Sequence, residues 1–300
     1  MNLKPGRPLL TSTGLVLVLA LGSACTIGDV DAPKDSAGGD AGPGGPLDGT
    51  VTLTSTTTVP PEPSPPPAAE PASLPLQNIV DEVIARYGGN ASVAVSDGTN
   101  ELIGGDDAAL PAWSTIKVPI AIAALRQDPS LAPTAAAAIQ SSDNAAAEVL
   151  WNSVTPPLVE AVLAEAEAPI SVNAVPTRPG VSTFGQTSWS PSQQARFAAN
   201  LACVDGAQPV LDLMGQVVAE QSYGIGQLPG ARFKGGWGPD TSGLYDIRQF
   251  GRFSTPQGDV AIALTASPSD GSYATAQAMA NELAHGVSTI AHELPLAACQ

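Results

Sequence analysis

The apolar positions at the start of the folded part of the chain predict one helix and two strands. Apolar residues recur at helical spacing from Leu76 to Ile84, and the pair Gly88-Gly89 ends this helix. Short strands are predicted at 91–95 and 101–103, with turn residues at 97–100 between them.

The middle of the chain is predicted to be helical, and strands return near its end. The predicted helices lie at 116–127, 145–151, 157–167, 191–203, 210–220 and 273 to about 290. The later predicted strands lie at 232–237, 245–253 and 260–265. Strands from both ends of the chain with helices between them indicate a single α+β domain. It is built on an antiparallel sheet of about five strands flanked by helices.

The first 25 residues have the pattern of an export signal. Two basic residues precede an apolar run from Leu15 to Leu21 that is too short to span a bilayer, and small residues then lead to Cys25. This ending resembles a bacterial lipoprotein processing site, although the usual leucine stands one position early. We therefore predict a protein held at the outer face of the cell membrane by lipid on Cys25. The alternative is cleavage near Ala24 and secretion.

Composition separates a linker from the domain and limits the possible partners. Residues 26–73 are rich in Pro, Gly and Thr and predict a disordered linker, which leaves residues 74–300 for the folded domain. The net charge of −16 excludes a general nucleic-acid binder, because such proteins neutralise phosphates with basic side chains. No residue spacing predicts a metal site or a cofactor, and we expect a monomer.

Cysteine usage agrees with export. Once Cys25 is set aside, Cys203 and Cys299 form an even pair in an oxidising compartment, which predicts a disulfide bond. Two buried free thiols are the alternative.

Three short motifs could carry chemistry, and each has a simpler explanation by itself. In Ser114-Thr115-Ile116-Lys117 the serine and lysine share one face of a buried helix, where a desolvated lysine can act as a base. Ser114 could instead cap that helix while Lys117 reaches water. Ser142-Asp143-Asn144 also suits a helix cap. In Lys234-Gly235-Gly236-Trp237 the glycines would let a ligand approach a strand edge beside an ammonium group.

The order of the three motifs and the scarcity of lysine favour a common role. Residues 74–300 contain only two lysines, Lys117 and Lys234, and the remaining strong bases of this region are all arginines. A serine and lysine on a helix, a Ser-Asp-Asn run and a late Lys-Gly strand follow the order of one known mechanism. We therefore predict that Ser114, Lys117, Ser142 and Lys234 meet in one site.

These motifs resemble those of class A serine β-lactamases and penicillin-binding proteins, including actinobacterial lipoproteins with a trimmed domain of this type. The resemblance covers about residues 77–290 and implies that Ser114 is the nucleophile and Lys117 its base. It implies that Ser142 relays a proton to the leaving nitrogen with help from Lys234.

The resemblance also suggests residues that bind substrate. Asn144 would hold the substrate amide, and Gly236 would allow close approach to the strand. The backbone N–H groups of Ser114 and Trp237 would form the oxyanion hole. Arg248 would bind a substrate carboxylate, or would instead pair with an acid such as Asp246 on the sheet.

The sequence departs from the family at three points. Gly235 replaces the hydroxyl residue of the lysine motif, which should weaken binding of substrate carboxylates. The short stretch between Lys117 and Ser142 implies a reduced all-helical subdomain. No Asp or Glu occurs from Ala168 to Val204, where class A enzymes carry the glutamate that activates the deacylating water.

These observations predict an exported serine acyltransferase or hydrolase of the Ser-x-x-Lys type with slow deacylation. The expected partner is a peptidoglycan stem peptide or a β-lactam-like small molecule. The alternatives are a catalytically degenerate envelope-binding lipoprotein and a β-lactamase with full turnover.

Overall fold

The computed structural model describes residues 73–299, which form an α+β domain. The predicted export signal, the lipidation site at Cys25 and nearly all of the linker lie outside the described residues. Within residues 73–299 no helix combines the length and apolar character needed to cross a membrane.

Five long strands and eight α-helices make up the domain between residues 73 and 299. The strands of the main sheet are β1 (Asn90–Ser96), β2 (Glu101–Gly105), β5 (Arg232–Pro239), β6 (Tyr245–Thr255) and β7 (Gly258–Ser267). Two very short strands, β3 (Leu110–Pro111) and β4 (Ser188–Trp189), pair separately. The helices are α1 (Leu74–Tyr87), α2 (Lys117–Gln127), α3 (Ala132–Gln140), α4 (Asn144–Asn152), α5 (Pro156–Glu165), α6 (Pro191–Asn200), α7 (Gln208–Met214) and α8 (Tyr273–Thr289).

The main sheet is antiparallel throughout, as predicted, and has the order β2-β1-β7-β6-β5. The N-terminal strand β1 pairs with the C-terminal strand β7, so both ends of the domain meet in the centre of the sheet. The strand that carries the lysine motif, β5, lies at one edge.

Alternating residues of the strands divide the core into two layers. On one face, residues such as Val93, Ile262 and Leu264 pack against α1 and α8. On the other face, Ala94, Ala263 and Phe250 join the core of α2, α6 and the remaining helices. The period-2 pattern of the strands thus places helices on both faces of the sheet.

The structure differs from the predicted elements in three places. Helix α3 was not predicted, because its run of alanines after Pro133 lacks an amphipathic period. The helix predicted at 210–220 ends at Met214, and a short 3₁₀ turn follows at Ala219–Gln221. The strands β3 and β4 are two residues each, which is too short for a periodic signal.

The last described residues are tied to the domain. Cys203 and Cys299 form a disulfide with Cα atoms 5.6 Å apart. The buried Arg252 donates a hydrogen bond from Nη1 to the carbonyl oxygen of Cys299, at 2.6 Å. The C-terminal segment is therefore fixed against the end of α6.

Candidate active site

Ser114 lies in a tight turn that leads directly into a buried helix. The 3₁₀ turn Trp113–Ile116 precedes α2, whose residues from Lys117 to Ala124 are all buried. Trp113 has a φ angle of 49°, in the left-handed region that bulky residues rarely adopt. Strained backbone of this kind persists only where the surrounding packing holds it, and such positions are frequent at functional sites.

Lys117 is the first residue of α2 and is almost completely buried, at 1% exposure. Its Nζ atom donates hydrogen bonds to the carbonyl oxygen of Ser142 at 2.6 Å and to Oδ1 of Asn144 at 2.8 Å. The lysine therefore points inward toward the second motif rather than reaching water.

Lys234 approaches the same serine from the sheet. It lies on β5 with 0% exposure, and its Nζ donates to the hydroxyl oxygen of Ser142 at 2.9 Å and to the carbonyl oxygen of Gly235 at 2.8 Å. Burial lowers the pKa of Lys234 well below that of a free lysine, and the charge of Lys117 lowers it further. Two buried amines thus share Ser142 as a common partner.

The connection between α3 and α4 directs Ser142 at the two lysines. Ser142 has a φ angle of 59°, and it is the neighbouring Asp143 that caps α4, with Oδ1 accepting from the Ala146 N–H at 2.7 Å. The helix-cap role that the sequence allowed for the Ser142-Asp143-Asn144 run therefore belongs to Asp143. The buried Ser142 hydroxyl remains available to the lysines.

The edge strand β5 passes against the nucleophile turn. A Cβ atom built on Gly236 would stand 2.7 Å from the backbone nitrogen of Ser114, and one on Gly238 would stand 2.5 Å from ring atoms of Trp113. Only glycine permits this approach.

Ser114 opens into a small recess between the two halves of the domain, called here the catalytic recess. It is lined by Ser114, Ser142, Asn144, Trp237, Gly238, Pro239 and Tyr245. The structure therefore brings together the residues predicted from the three motifs.

Arg248 does not occupy the position predicted for a carboxylate ligand. It is 0% exposed, and its guanidinium group donates to the carbonyl oxygens of Leu110, Pro111 and Trp189, each at 2.8 Å. Burial lowers its pKa to about 10. The predicted role is corrected: the donors of Arg248 hold β3 and β4 onto the sheet, because backbone carbonyls of these strands converge on it.

The loop between α5 and β4 is held by an amide and by a carboxylate. Asn173 donates from Nδ2 to the carbonyl oxygens of Val175 and Thr183, at 2.9 and 2.8 Å. The carboxylate of Glu160 on α5 accepts from the Val172 N–H at 2.9 Å. Glu165, at the end of α5, is bound by Arg126 through two hydrogen bonds, and Glu167, at the start of the loop, is exposed.

Trp113 was not identified from the sequence, and Asp246 was named there only as a possible partner of Arg248. The indole Nε1 of Trp113 donates to Oδ1 of Asp246 at 2.9 Å. Burial raises the pKa of Asp246 to about 6, and the charge of Arg248 partly opposes this rise. The contact joins the nucleophile turn to β6 across 133 positions of sequence. The position of Trp113 directly before Ser114 was the available signal.

No group of three or more His, Cys, Asp or Glu residues within 73–299 is arranged to hold a metal ion.

Comparison with known proteins bears on the fold of the chain. A sequence profile of the "Beta-lactamase enzyme family" matches residues 75–130, a segment that contains Ser114 and Lys117. No curated protein matches the sequence of the chain.

Solved structures of class A β-lactamases have the same fold. One from Bacteroides cellulosilyticus is 15% identical, with a TM-score of 0.61, over 72% of this chain and 96% of the other. The TLA-3 extended-spectrum β-lactamase is 13% identical, with a TM-score of 0.60, over 73% of this chain and 99% of the other. A variant of the last common ancestor of Gram-negative class A enzymes is 19% identical, with a TM-score of 0.58, over 74% and 99%. At these identities the likeness shows the fold alone.

Proposed function

Taking the β-lactamase fold of residues 73–299 as the premise, we propose that this protein is an exported serine acyl-transfer enzyme of the penicillin-binding type with slow deacylation. One observation carries the proposal. Two buried lysines from different halves of the domain converge on Ser142 beside Ser114. Burying two cations costs several kcal/mol each unless they are compensated, so a reactive site explains them better than packing does.

Acylation proceeds by attack of the Ser114 hydroxyl on a substrate carbonyl carbon, with the Ser114 proton passing to Nζ of Lys117. The backbone N–H groups of Ser114 and Trp237 stabilise the tetrahedral oxyanion, typically by ~3 kcal/mol per donor. The carbon–nitrogen bond then breaks, and the leaving nitrogen takes a proton from the Ser142 hydroxyl. Lys234 donates a hydrogen bond to that hydroxyl oxygen, and the proton that Lys117 took from Ser114 passes to it across the contact of 3.4 Å between Lys117 Nζ and Ser142 Oγ.

The hydrogen bonds of Lys117 hold its amine at the second motif. Its Nζ donates to the carbonyl oxygen of Ser142 at 2.6 Å and to Oδ1 of Asn144 at 2.8 Å, and over longer distances of 3.4 Å to the Ser142 hydroxyl oxygen and the Asp143 carbonyl oxygen. Asn144 keeps its Nδ2 group as a donor for a substrate carbonyl.

Deacylation is slow in this proposal because residues 168–204 contain no Asp or Glu that could activate water. Of the preceding glutamates, Glu160 accepts from the Val172 N–H, Glu165 is paired with Arg126, and Glu167 is exposed. The acyl-enzyme would then persist, as in a penicillin-binding protein.

The substrate class follows from the site and from the predicted location. An amide or lactam carbonyl with a leaving nitrogen fits the proton relay, so we propose a peptidoglycan stem peptide or a β-lactam-like small molecule. The protein would act as a monomer, anchored to the membrane by lipid on Cys25 or secreted if Cys25 is not lipidated.

Intact-protein mass spectrometry after incubation with benzylpenicillin tests the proposal. We expect one covalent adduct per chain, with a lifetime of minutes or longer, and loss of the adduct in Ser114→Ala. Lys117→Met and Lys234→Met should slow acylation by a factor of about 10² to 10⁴, the usual contribution of a positioned proton-transfer group.

Ser141→Ala is the matched control. Ser141 precedes Ser142, is exposed, and donates its hydroxyl to the carbonyl oxygen of Ala137, outside the catalytic recess. It should acylate like the unmodified chain. Absence of an adduct across pH 6 to 10, with benzylpenicillin and with a fluorophosphonate, would refute the proposal.

A second candidate is a catalytically degenerate lipoprotein that binds envelope peptides without reacting. Gly235, in place of a hydroxyl residue, and the absence of Asp and Glu from residues 168–204 favour it. In that case stem peptides should raise the melting temperature equally in the unmodified chain and in Ser114→Ala, and no covalent adduct should form. A third candidate, a β-lactamase with full turnover, requires steady hydrolysis of nitrocefin.

A further inference from the structure

A second and larger cavity lies beside the catalytic recess, at the end of the sheet. This sheet-end cavity has a volume of about 660 Å³ and is bordered by the start of β1, the end of β7, the start of β6 and loop residues 177–178. Cavities of this size hold small organic molecules in other proteins. Pro239 and Tyr245 line both the sheet-end cavity and the catalytic recess.

The walls of the sheet-end cavity are largely apolar and aromatic. They include Leu110, Pro111, Trp113, Leu244, Tyr245 and Pro268. An apolar ligand body would bury these surfaces.

Among the polar groups that line the cavity, the Asp246 carboxyl group has the least need of its charge for the structure. Oδ1 accepts a hydrogen bond from the Trp113 indole, a role that an amide oxygen would fill equally well. Burial raises the pKa of Asp246 to about 6, and the buried Arg248 partly opposes this rise. The group is therefore ionised at neutral pH although the surroundings disfavour its charge, which is typical of groups kept for function.

The other charged groups around the cavity are already engaged or lie near its rim. Arg178 donates to the carbonyl oxygen of Pro239 at 2.6 Å and stands over the Trp113 ring, 5.6 Å from its centroid. Oδ1 of Asp240 accepts from the N–H groups of Ser242 and Leu244. Asp106 adds a third carboxyl to the lining. Three carboxyl groups and one guanidinium line the cavity, so its charge favours a cation.

We propose that the sheet-end cavity binds a small organic ammonium with an apolar body, whose ammonium group pairs with the Asp246 carboxylate. This proposal does not rest on acyl transfer at Ser114, although Trp113, Pro239 and Tyr245 join the cavity to the nucleophile turn and the catalytic recess. The apolar body would pack on Trp113 and Leu244.

Isothermal titration calorimetry of the full-length chain tests this site with three probes of similar shape. Phenethylammonium carries the cation, 2-phenylethanol is neutral, and 3-phenylpropionate is an anion. At pH 7.5 we expect saturable 1:1 binding of phenethylammonium. The alcohol and the acid should bind at least about tenfold more weakly, as for the loss of one charged hydrogen bond.

Asp246→Asn should weaken phenethylammonium binding at least about tenfold while keeping the acceptor for Trp113. Its melting temperature at pH 7.5 should be unchanged or higher, because a disfavoured charge has been removed. Asp212→Asn, on α7 and outside both cavities, is the matched control and should bind normally.

A pH titration of the unmodified chain gives an independent measurement if Asp246→Asn fails to fold. The affinity for phenethylammonium should fall as the pH is lowered through about 6, approaching about tenfold per pH unit, because the carboxylate takes up a proton while the ligand stays charged. The proposal is overturned if the alcohol or the acid binds as tightly, if Asp246→Asn binds normally, if the affinity does not change with pH, or if phenethylammonium does not bind at about 10 mM.

Discussion

Two neighbouring glycines of β5 have very different surroundings. A Cβ atom on Gly235 would meet nothing closer than 3.8 Å, whereas one on Gly236 would stand 2.7 Å from the backbone nitrogen of Ser114. The first position therefore has room for a side chain. The second has none, because the neighbouring atom belongs to the backbone of the nucleophile turn.

Substitutions at these two glycines should have opposite effects on acylation. Gly235→Ser restores the hydroxyl residue typical of the family, and we expect folding to be retained and the acylation rate constant for benzylpenicillin to rise. Gly236→Ala should push β5 away from Ser114, with a loss of ~1–3 kcal/mol in the free energy of unfolding and at least tenfold slower acylation.

The two variants serve as controls for each other, since both add a side chain to the same strand. Stopped-flow acylation and urea unfolding measure the two effects. If Gly235→Ser slowed acylation as much as Gly236→Ala, the space beside Gly235 would not accommodate a serine side chain.

For single residues, prediction from the sequence worked where the chemistry requires a residue type that is rare elsewhere in the domain. Lysine is so rare in the domain that Lys117 and Lys234 could be assigned to one site before their contacts were known. Arg248 was misassigned because its partners are backbone carbonyls of β3 and β4, which no side-chain pattern reveals. Asp246 and Trp113 meet only through the tertiary fold.

Among the elements, β6 stabilises the junction between the sheet and the helical half through Arg248. Its guanidinium group spans three carbonyl oxygens from the paired strands β3 and β4, and it does so without solvent contact. A planar group with several fixed donors suits this task, and an ammonium group does not.

Arg248→Lys should therefore destabilise the domain by ~2–4 kcal/mol, because buried carbonyls lose their donors. Urea unfolding measures the change. The ratio of acylation rates for benzylpenicillin, which carries a carboxylate, and a neutral fluorophosphonate should stay the same. If acylation by benzylpenicillin slowed and acylation by the fluorophosphonate did not, Arg248 would instead be a ligand of the substrate carboxylate.

The longer elements were predicted well because each has a clear period or a clear boundary. Strands β5 to β7 are separated by turn residues and pair in continuous register, and α8 begins after the cap Ser272. Helix α3 and the early end of α7 escaped prediction, because alanine-rich and short helices are determined by packing against neighbours. The α3–α4 connection matters most for function, since it sets the direction of Ser142.

At the scale of the whole molecule, the Cys203–Cys299 disulfide joins the C-terminal segment to the region after α6. The bond closes a loop of 96 residues that includes β5, β6, β7 and α8. In the chain-entropy model, a loop of this length stabilises the folded state by ~4–5 kcal/mol.

Replacing both cysteines, Cys203→Ser with Cys299→Ser, should lower the free energy of unfolding by ~2–5 kcal/mol. Urea unfolding with and without reductant measures this. Reductant should destabilise the unmodified chain by a similar amount and leave the double variant unchanged. A double variant as stable as the oxidised chain would mean that the other contacts of the C-terminal segment suffice.

The left-handed backbone at Trp113 and Ser142 has a consequence for how this chain can diverge. Both residues stand in a conformation that costs roughly 1–3 kcal/mol, and they flank the nucleophile and the proton relay. Glycine at Ser142 would relieve this cost without removing an apolar core side chain, whereas glycine at Trp113 would also delete a buried indole. Descendants that no longer needed the reaction could therefore gain robustness by replacing Ser142, so this position would be among the first to record a loss of activity.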